Sequence, residues 1–337
     1  MGLRIFWHNP YHKELPERVL RLALQHANTD HLLNRSVIDP DLSVTRFRTD
    51  HRSYIMPSYR FDAPDATIAF LGGSTTECMA VQEDLRFPAA VSYRLEKKGF
   101  RVNTLNAARS GNTTHDSINV LLNHVVEDRP DIVVLMEATN DIGVLTGDQS
   151  YRRRMGRTET FFQSVRFVLQ KASSTFYLIA LFRKWVTSEA FRQNASPLRG
   201  KRVKARLPST EYEKRLRAFI RVARAFGIEP VLMTQPVTNI STPLTPDWAD
   251  ALTQEIFNDL IRKVGVEEKV LVIDLVRYLI EHIDGWNQHM NIFYDGVHVT
   301  DRGSQVYAKY IAEILHARAL PRFNKRHEAV LYRRENS

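Results

Sequence analysis

Short apolar segments alternate with amphipathic segments along most of the chain. The apolar runs are typical of buried strands, which we predict at Thr67–Leu71, Val102–Asn106, Ile132–Met136, Pro230–Met233 and Val270–Ile273. Apolar residues recur with helical spacing between and after these runs, at Phe87–Lys98, Thr114–Glu127, Tyr212–Phe226, Trp248–Val264 and Gly303–His316. Strands that alternate with helices favour a mainly parallel sheet covered on both faces. The pattern therefore predicts an α/β fold, a three-layer α/β/α sandwich of the flavodoxin-like kind.

Four short segments contain the candidate chemistry. In chain order they are Gly72–Thr76, Ser110–Asn112, Thr139–Asp141 and Asp295–His298. The first segment directly follows a predicted strand, so Ser74 lies at the carboxyl end of a strand, where open α/β sheets bind their ligands. Gly72 and Gly73 permit a sharp turn at this point because glycine has no Cβ atom.

A serine hydroxyl in this position is a candidate nucleophile, and it needs a base to take its proton. His298 is the candidate base, and Asp295, three residues earlier, can hold the imidazole in the required tautomer. A tetrahedral intermediate also needs hydrogen-bond donors for its oxyanion. The Ser74 N–H, the Gly111 N–H and the Asn140 side-chain amide are the candidate donors. Together these residues predict acyl chemistry at a serine.

These segments resemble the motifs of the SGNH hydrolase superfamily, also called GDSL-type esterases. The likeness covers roughly residues 65–145 and 210–318. It implies that Ser74 is the nucleophile, with Asp295 and His298 as its acid and base. It also implies an oxyanion hole formed by Ser74, Gly111 and Asn140. The fold it implies is the flavodoxin-like SGNH hydrolase fold.

Two motifs depart from the usual family pattern. The first usually contains Gly-Asp-Ser and here contains Gly72-Gly73-Ser74, a variant found in bacterial members. The third usually begins with glycine and here begins with Ala138. The segment Arg46–Arg60 loosely resembles the lead-in of members from bacterial surface-polysaccharide gene clusters. That resemblance favours a carbohydrate substrate.

Each segment by itself has a plainer interpretation. Ser74 and Glu77 fit a capping box, in which the serine caps a helix and the glutamate bonds back to it. Gly111 fits a turn glycine, and Asn140 fits a loop or a helix cap. The fixed order of the four segments favours catalysis over these separate interpretations.

The composition is that of an ordinary globular protein, with 43% apolar and 25% charged residues in a chain of 337. The single cysteine, Cys78, excludes an intrachain disulfide and a multi-cysteine metal site, and we expect it to pack against the sheet. No nucleotide-binding glycine motif occurs, so nucleotide binding is not expected. The serine mechanism needs neither a cofactor nor a metal, and we expect none. Without an export signal or an apolar span in the sequence, we expect a cytoplasmic enzyme, with a membrane surface as the alternative location.

Residues 151–207 differ in charge from the rest of the chain. They contain fourteen Lys or Arg and two acidic residues, a local net charge of +12, whereas the whole chain has +9. Apolar faces accompany this charge, and we predict a basic helical insertion at residues 146–207. An anionic polysaccharide and an anionic membrane surface are candidate partners. Nucleic acid is not expected, because no recognition motif accompanies the charge. A solvated face or a dimer contact explains the charge equally well.

These observations divide the chain into three predicted regions. They are an N-terminal extension at 1–64 with one helix near Glu17–Asn28, a hydrolase domain at 65–320 and a basic tail at 321–337. The predicted function is hydrolysis of small acyl esters, chiefly O-acetyl, on a carbohydrate. Two alternatives stay open. One is an O-acyltransferase that uses the same residues, and the other is a non-catalytic glycan- or membrane-binding protein on the same scaffold.

Overall fold

The computed structural model describes residues 24–34, 44–147, 150–151, 209–238, 251–285 and 291–321. Its strands are β1 (Asp30–Asn34), β2 (Val44–Arg48), β3 (Ala66–Gly72), β4 (Val102–Asn106), β5 (Ile132–Met136), β6 (Glu229–Met233) and β7 (Leu271–Ile273). Its helices are α1 (Ser74–Glu77), α2 (Phe87–Glu96), α3 (Thr114–Asn123), α4 (Thr139–Gly147), α5 (Ser209–Ala225), α6 (Ala251–Glu267), α7 (Leu275–His282) and α8 (Asp301–Arg318). Short 3₁₀ turns lie at Glu83–Leu85 and Val125–Asp128.

Strands β3 to β7 form a five-stranded sheet in the order β4-β3-β5-β6-β7, and each neighbouring pair is parallel. Strands β1 and β2 form a separate antiparallel pair. Because β3 lies between β4 and β5, the strand order reverses at β3, and open α/β sheets bind ligands beyond the strand ends at such a point. The parallel, flavodoxin-like sheet predicted from the sequence is confirmed.

Helices cover both faces of this sheet. Side chains of a strand alternate between its faces, and Ile68 and Phe70 of β3 pack into a core with α2, α7 and α8. The intervening residues Ala69 and Leu71 are fully buried as well but lie outside that core. On their side α3 packs against α5, and α5 packs against α6. The architecture is therefore the three-layer sandwich that the alternation predicts.

Two glycines near the predicted ends of α5 and α6 have different roles. Gly227 follows α5 with a φ of +73°, a left-handed conformation that suits glycine and ends the helix as predicted. Gly265 was predicted to end the helix before β7, but α6 continues through it to Glu267. A Cβ atom at Gly265 would lie 2.1 Å from Val272 Cγ2. This glycine therefore permits close packing of α6 on β7 and does not end the helix.

Other elements were missed or shortened in the prediction. The hairpin β1–β2 and helix α7 were not predicted. The predicted helix Thr114–Glu127 is α3 followed by a 3₁₀ turn. Residues 24–28 contain a turn and no helix, so the prediction of a helix through Asn28 is wrong at that end. The remainder of that predicted helix lies outside the described residues.

The chain separates into two compact units, Met1–Gly143 with Ser209–Ser337, and Val144–Pro208. The basic insertion predicted at 146–207 lies almost entirely outside the described residues, as does the tail beyond residue 321. Both therefore stay predictions. Across the described part of the chain, none of the helices combines the length and the hydropathy that a bilayer span requires.

A buried arginine attaches the segment around β2 to the residues that follow β3. Arg86 is 1% exposed and donates hydrogen bonds to the main-chain oxygens of Cys78 (3.2 Å), Met56 (3.2 Å) and Arg46 (2.7 Å). Its guanidinium also lies over the Phe47 ring at 5.2 Å from the centroid. The Arg86 guanidinium thus connects Cys78, which follows Ser74, to Arg46 and Met56 in the segment before β3.

We expect Arg86→Met to lower the free energy of unfolding by roughly 2–4 kcal/mol, because it removes three charge-assisted hydrogen bonds to main-chain oxygens. Urea denaturation measures this loss. The control is Arg101→Met, since Arg101 forms an ion pair with Asp65 at the surface, and such pairs contribute at most roughly 1 kcal/mol. Equal effects of the two substitutions would contradict a special role for Arg86.

Candidate active site

Ser74 begins helix α1 directly after the central strand β3. Gly73 is the N-cap residue of α1, and no side chain caps this helix, so the capping-box interpretation of Ser74 and Glu77 is wrong. The backbone of Gly73 is extended, with φ and ψ of −88° and −155°, so no left-handed conformation requires glycine here. The need for glycine is spatial, because a Cβ at position 73 would lie 2.4 Å from Asn140 Nδ2 and 3.2 Å from Asn112 O.

A continuous hydrogen-bond chain links Ser74, His298 and Asp295. His298 Nε2 lies 2.7 Å from Ser74 Oγ, and His298 Nδ1 lies 2.7 Å from Asp295 Oδ2. The second carboxylate oxygen of Asp295 accepts hydrogen bonds from the main-chain N–H groups of Val297 (2.8 Å) and His298 (2.7 Å). With Nδ1 protonated, Nε2 is left as the acceptor for the serine proton. This geometry suits proton transfer from the serine hydroxyl to the imidazole.

The environment of Asp295 favours its charged form. Burial by itself raises the pKa of this carboxyl, because the side chain is almost inaccessible to water. The hydrogen bonds from the His298 ring and from the two main-chain N–H groups outweigh burial and lower the pKa below its ordinary value. Asp295 is therefore an anion at neutral pH and can stabilise a protonated imidazole next to it.

The segments that contain the predicted oxyanion donors Gly111 and Asn140 lie next to the turn at Ser74. Gly111 has a φ of +82°, which a residue with a side chain rarely adopts. Its loop is tied to the end of β3, because Arg109 N–H donates to Gly72 O at 3.1 Å. Asn140 Nδ2 donates to Asn112 O at 2.7 Å and lies against the Gly73 backbone. The structure thus brings the Asn140 amide next to two loops. One is the serine turn, at residues 72–76, and the other is the glycine loop, at residues 107–113.

Buried polar side chains brace these loops against one another. Asn106 donates to Thr76 O at 3.0 Å and accepts from Ala108 N–H at 3.1 Å, so it joins the serine turn to the glycine loop. Asp141 accepts hydrogen bonds from the N–H and the hydroxyl of Thr114 at 3.0 and 3.1 Å. These bonds join Thr139–Asp141, the asparagine segment, to α3. Sequence reasoning did not single out Asn106, since one polar residue at a strand end has no distinctive signal.

Two cavities meet at Ser74 and His298. The larger has a volume of about 260 Å³ and is lined by Leu33, Asn34, Ser74, Glu77, Met79, Ala80, Ser110, Tyr294 and His298. The smaller, of about 10 Å³, lies between Ser74, Thr75, Cys78, Ala80, Val81, Tyr294, His298 and Val299. That volume admits a single group of about the size of a water molecule. The Tyr294 ring stacks on the His298 ring, with centroids 5.6 Å apart.

Glu77 and Cys78 follow Ser74 but occupy different surroundings. Glu77 accepts hydrogen bonds from Gln25 Nε2 at 2.6 Å and from the Ser110 hydroxyl. Burial raises the pKa of its carboxyl, and these two hydrogen bonds oppose the rise. Cys78 packs in the core as predicted, and burial raises the pKa of its thiol to about 12. The thiol is therefore not a reactive thiolate at neutral pH.

Among the described residues, no group of three or more His, Cys, Asp or Glu side chains has an arrangement suited to a metal ion.

Comparison with known proteins identifies a family. The sequence model of the GDSL-like lipase/acylhydrolase family matches residues 70–306, more than two thirds of the chain. The matched range contains every residue predicted above for the site. A comparison with curated protein sequences finds no match.

Several solved structures are similar to this chain at low sequence identity. An acetyl xylan esterase named AlAXEase is 16% identical, with a TM-score of 0.47, and the match covers 74% of this chain and 99% of that chain. A lipase/acylhydrolase from Enterococcus faecalis is 17% identical, with a TM-score of 0.48 and coverages of 75% and 96%. The acetylxylan esterase Axe2 from Geobacillus stearothermophilus is 16% identical, with a TM-score of 0.48 and coverages of 74% and 93%. These values are too low to support a conclusion about the substrate.

The stability of the protein should depend on pH through Asp295. Its pKa in the folded state is lower than that of an unfolded-chain aspartate, about 3.9. Its contribution to the free energy of unfolding is therefore complete above about pH 4 and is lost as the pH falls through the lowered pKa. We expect the stability difference between the parent and Asp295→Asn to be larger at about pH 7 than at about pH 2. Urea denaturation at both pH values tests this, and a difference that grows in acid would contradict it.

The crowding around Gly73 predicts a selective loss of activity. In Gly73→Ala the new methyl group must displace the Asn140 amide, and we expect kcat to fall roughly 10- to 1,000-fold. The control is Gly99→Ala. A Cβ at Gly99 has no atom within 4 Å, so the substitution causes no crowding, and only the φ of +87° makes it unfavourable. That variant should lose roughly 1–2 kcal/mol of stability through its left-handed backbone and keep its kcat. Ester-hydrolysis rates and melting curves of both variants separate the two effects.

Proposed function

Because this chain belongs to the GDSL-like lipase/acylhydrolase family, we propose that it is a serine esterase that removes O-acetyl or similar small acyl groups from a carbohydrate. Family membership makes the protein an ester-bond hydrolase. The observation that best supports a serine mechanism is the hydrogen-bond chain from Ser74 through His298 to Asp295, with two contacts of 2.7 Å.

The first half of the proposed reaction transfers the acyl group to the enzyme. His298 Nε2 takes the Ser74 proton while the serine oxygen attacks the ester carbonyl. The resulting oxyanion accepts hydrogen bonds from the N–H groups of Ser74 and Gly111 and from the Asn140 amide. An amide nitrogen has two N–H groups, so Asn140 can bind Asn112 O with one and the oxyanion with the other. The protonated imidazole then gives its proton to the leaving sugar oxygen.

The second half returns the enzyme to its starting state. His298 takes a proton from a water molecule as the water attacks the acyl-serine carbonyl. A second oxyanion forms in the same hole and collapses, which releases the acid and returns the proton to Ser74. Asp295, held as an anion by its surroundings, balances the imidazolium charge in both halves.

The two cavities support a small acyl group and a larger polar alcohol. The cavity of about 10 Å³ has apolar walls from Ala80, Val81 and Val299, and we assign it to the acyl methyl group. The cavity of about 260 Å³ is slightly smaller than the roughly 300–1,000 Å³ of sites for drug-sized ligands. Its walls combine polar side chains of Asn34 and Ser110 with the Tyr294 ring, a lining that suits a sugar ring with several hydroxyl groups.

We expect one fluorophosphonate adduct on the parent protein and none on Ser74→Ala or His298→Ala, because labelling needs an activated serine. Intact-mass spectrometry measures the adduct. The parent should also release acetate from acetylated xylo-oligosaccharides and should prefer 4-nitrophenyl acetate to the octanoate ester by at least tenfold in kcat/KM. Melting curves establish that both variants are folded.

Each alternative function has its own signature in this experiment. A higher rate of acetyl transfer to an added sugar than of acetate release would indicate an acyltransferase. Binding of the oligosaccharide without labelling or turnover would indicate a non-catalytic binding protein. A preference for octanoate over acetate would contradict the small acyl pocket, and no acetate release from the acetylated oligosaccharide by a protein that hydrolyses 4-nitrophenyl acetate would contradict the carbohydrate assignment.

A further inference from the structure

Gln235 lies at the carboxyl end of β6, two residues beyond the last residue of the strand. It is 2% exposed. Its main-chain N–H donates to Asn258 Oδ1 at 2.9 Å, and its main-chain oxygen accepts from Asn258 Nδ2 and Gln254 Nε2, both at 3.1 Å. Two buried amides of α6 thus hold the backbone of Gln235 in place. A side chain attached to so constrained a backbone has a defined direction.

The Gln235 side chain joins the two segments that flank the reacting groups. Its Nε2 donates to Thr75 Oγ1 at 2.9 Å, and Thr75 directly follows Ser74. Its Oε1 accepts from Thr139 N–H at 2.9 Å, and Thr139 directly precedes Asn140. Thr75 and Thr139 are 7% and 4% exposed, so water competes little for either hydrogen bond. The amide of Gln235 therefore spans the distance between the serine turn and the start of α4.

We propose that Gln235 is a positioning residue that sets the distance between Ser74 and the Asn140 oxyanion donor. The inference rests on the proposed serine mechanism, and Gln235 itself lines neither of the two cavities at Ser74. Asn106 joins the serine turn to the glycine loop, and Asp141 joins the asparagine segment to α3. Gln235 supplies the remaining connection, between the serine turn and the asparagine segment.

An oxyanion hole tolerates little displacement of its hydrogen-bond donors. Donors stabilise the tetrahedral intermediate only when they lie at hydrogen-bond distance from the oxyanion, and a displacement of about 1 Å can cost roughly 100-fold in rate. The carbonyl oxygen of the bound ester accepts weaker hydrogen bonds from these donors than the oxyanion does. Loss of the Gln235 brace should therefore lower kcat and leave KM nearly unchanged, whereas a general loss of packing would lower the fraction of folded protein.

The principal variant is Gln235→Met, which keeps the length of the side chain and removes both hydrogen bonds. We expect kcat for 4-nitrophenyl acetate to fall roughly 10- to 100-fold, with KM changed less than about twofold. Binding of an alkyl boronic acid, which forms a tetrahedral adduct on the serine, should weaken by the same factor as kcat/KM. This parallel loss is the readout that a purely structural role would not produce.

The second variant approaches the same brace from its other end. Thr75→Val keeps the shape of Thr75 and removes the hydroxyl that accepts from Gln235 Nε2. We expect a smaller fall in kcat than in Gln235→Met, because the hydrogen bond to Thr139 remains. In the double variant the two effects should not add, since residues in one hydrogen-bond network show coupling. Thr75→Val also provides the test if Gln235→Met does not fold.

The matched control is Asn103→Leu. Asn103 is another buried amide with two hydrogen bonds, to the N–H and the oxygen of Phe61, both at 2.9 Å. It pairs with Thr67 near the amino end of β3, whereas Ser74 follows the carboxyl end of the same strand. This variant should lower the melting temperature and keep kcat, KM and boronate affinity per folded molecule.

The outcomes separate this proposal from the proposed function. A parent protein that turns over the ester, with Gln235→Met and Thr75→Val both within twofold of its kcat, would overturn the role of Gln235 alone. Additive effects in the double variant would also overturn it. A folded parent with neither turnover nor fluorophosphonate labelling would overturn the serine mechanism, and the role of Gln235 with it. Because 4-nitrophenyl acetate contains no sugar, none of these outcomes depends on the carbohydrate assignment.

Discussion

The parallel pairing of β3 with β4 on one side and with β5 on the other is the constraint on which the site depends. The register places Phe70 opposite Asn106 and Gly72 opposite Met136, so the three strands end almost level. Their following loops therefore leave the sheet at one edge and next to one another. Main-chain hydrogen bonds of the sheet thus set the spacing of the serine turn, the glycine loop and the asparagine segment before side chains contribute.

Buried polar side chains then convert this spacing into a defined geometry. Beyond the strand ends fewer main-chain groups pair with a neighbouring strand, and a buried polar group without a partner costs about 1–3 kcal/mol. Asn106, Asp141 and Gln235 meet this requirement between loops, at distances from 2.9 to 3.1 Å. The same contacts that satisfy the backbone also resist movement of the loops. Stability and precise placement of the reacting groups therefore have one physical origin.

The proposed base, His298, reaches this edge from the far end of the chain. Asp295 and His298 lie in a turn closed by the bridge between Phe293 and Val299. Thr300 then caps α8 by accepting from the Gly303 N–H at 3.1 Å. These contacts are local, so Asp295 and His298 are oriented toward each other by their own segment. Packing of α8 against α2 brings that segment to the serine.

The sequence by itself determined the strands β3 to β7 to within a residue or two, the order of the four segments and the chemical character of Ser74 and His298. These properties depend on local spacing and on residue type. Tertiary structure decided that Glu77 bonds to Ser110 and not back to Ser74, that Gly265 serves helix packing, and that Gln235 joins Thr75 to Thr139. Such pairings follow from strand order and register, which bring together residues far apart in sequence. Local sequence spacing therefore cannot predict them.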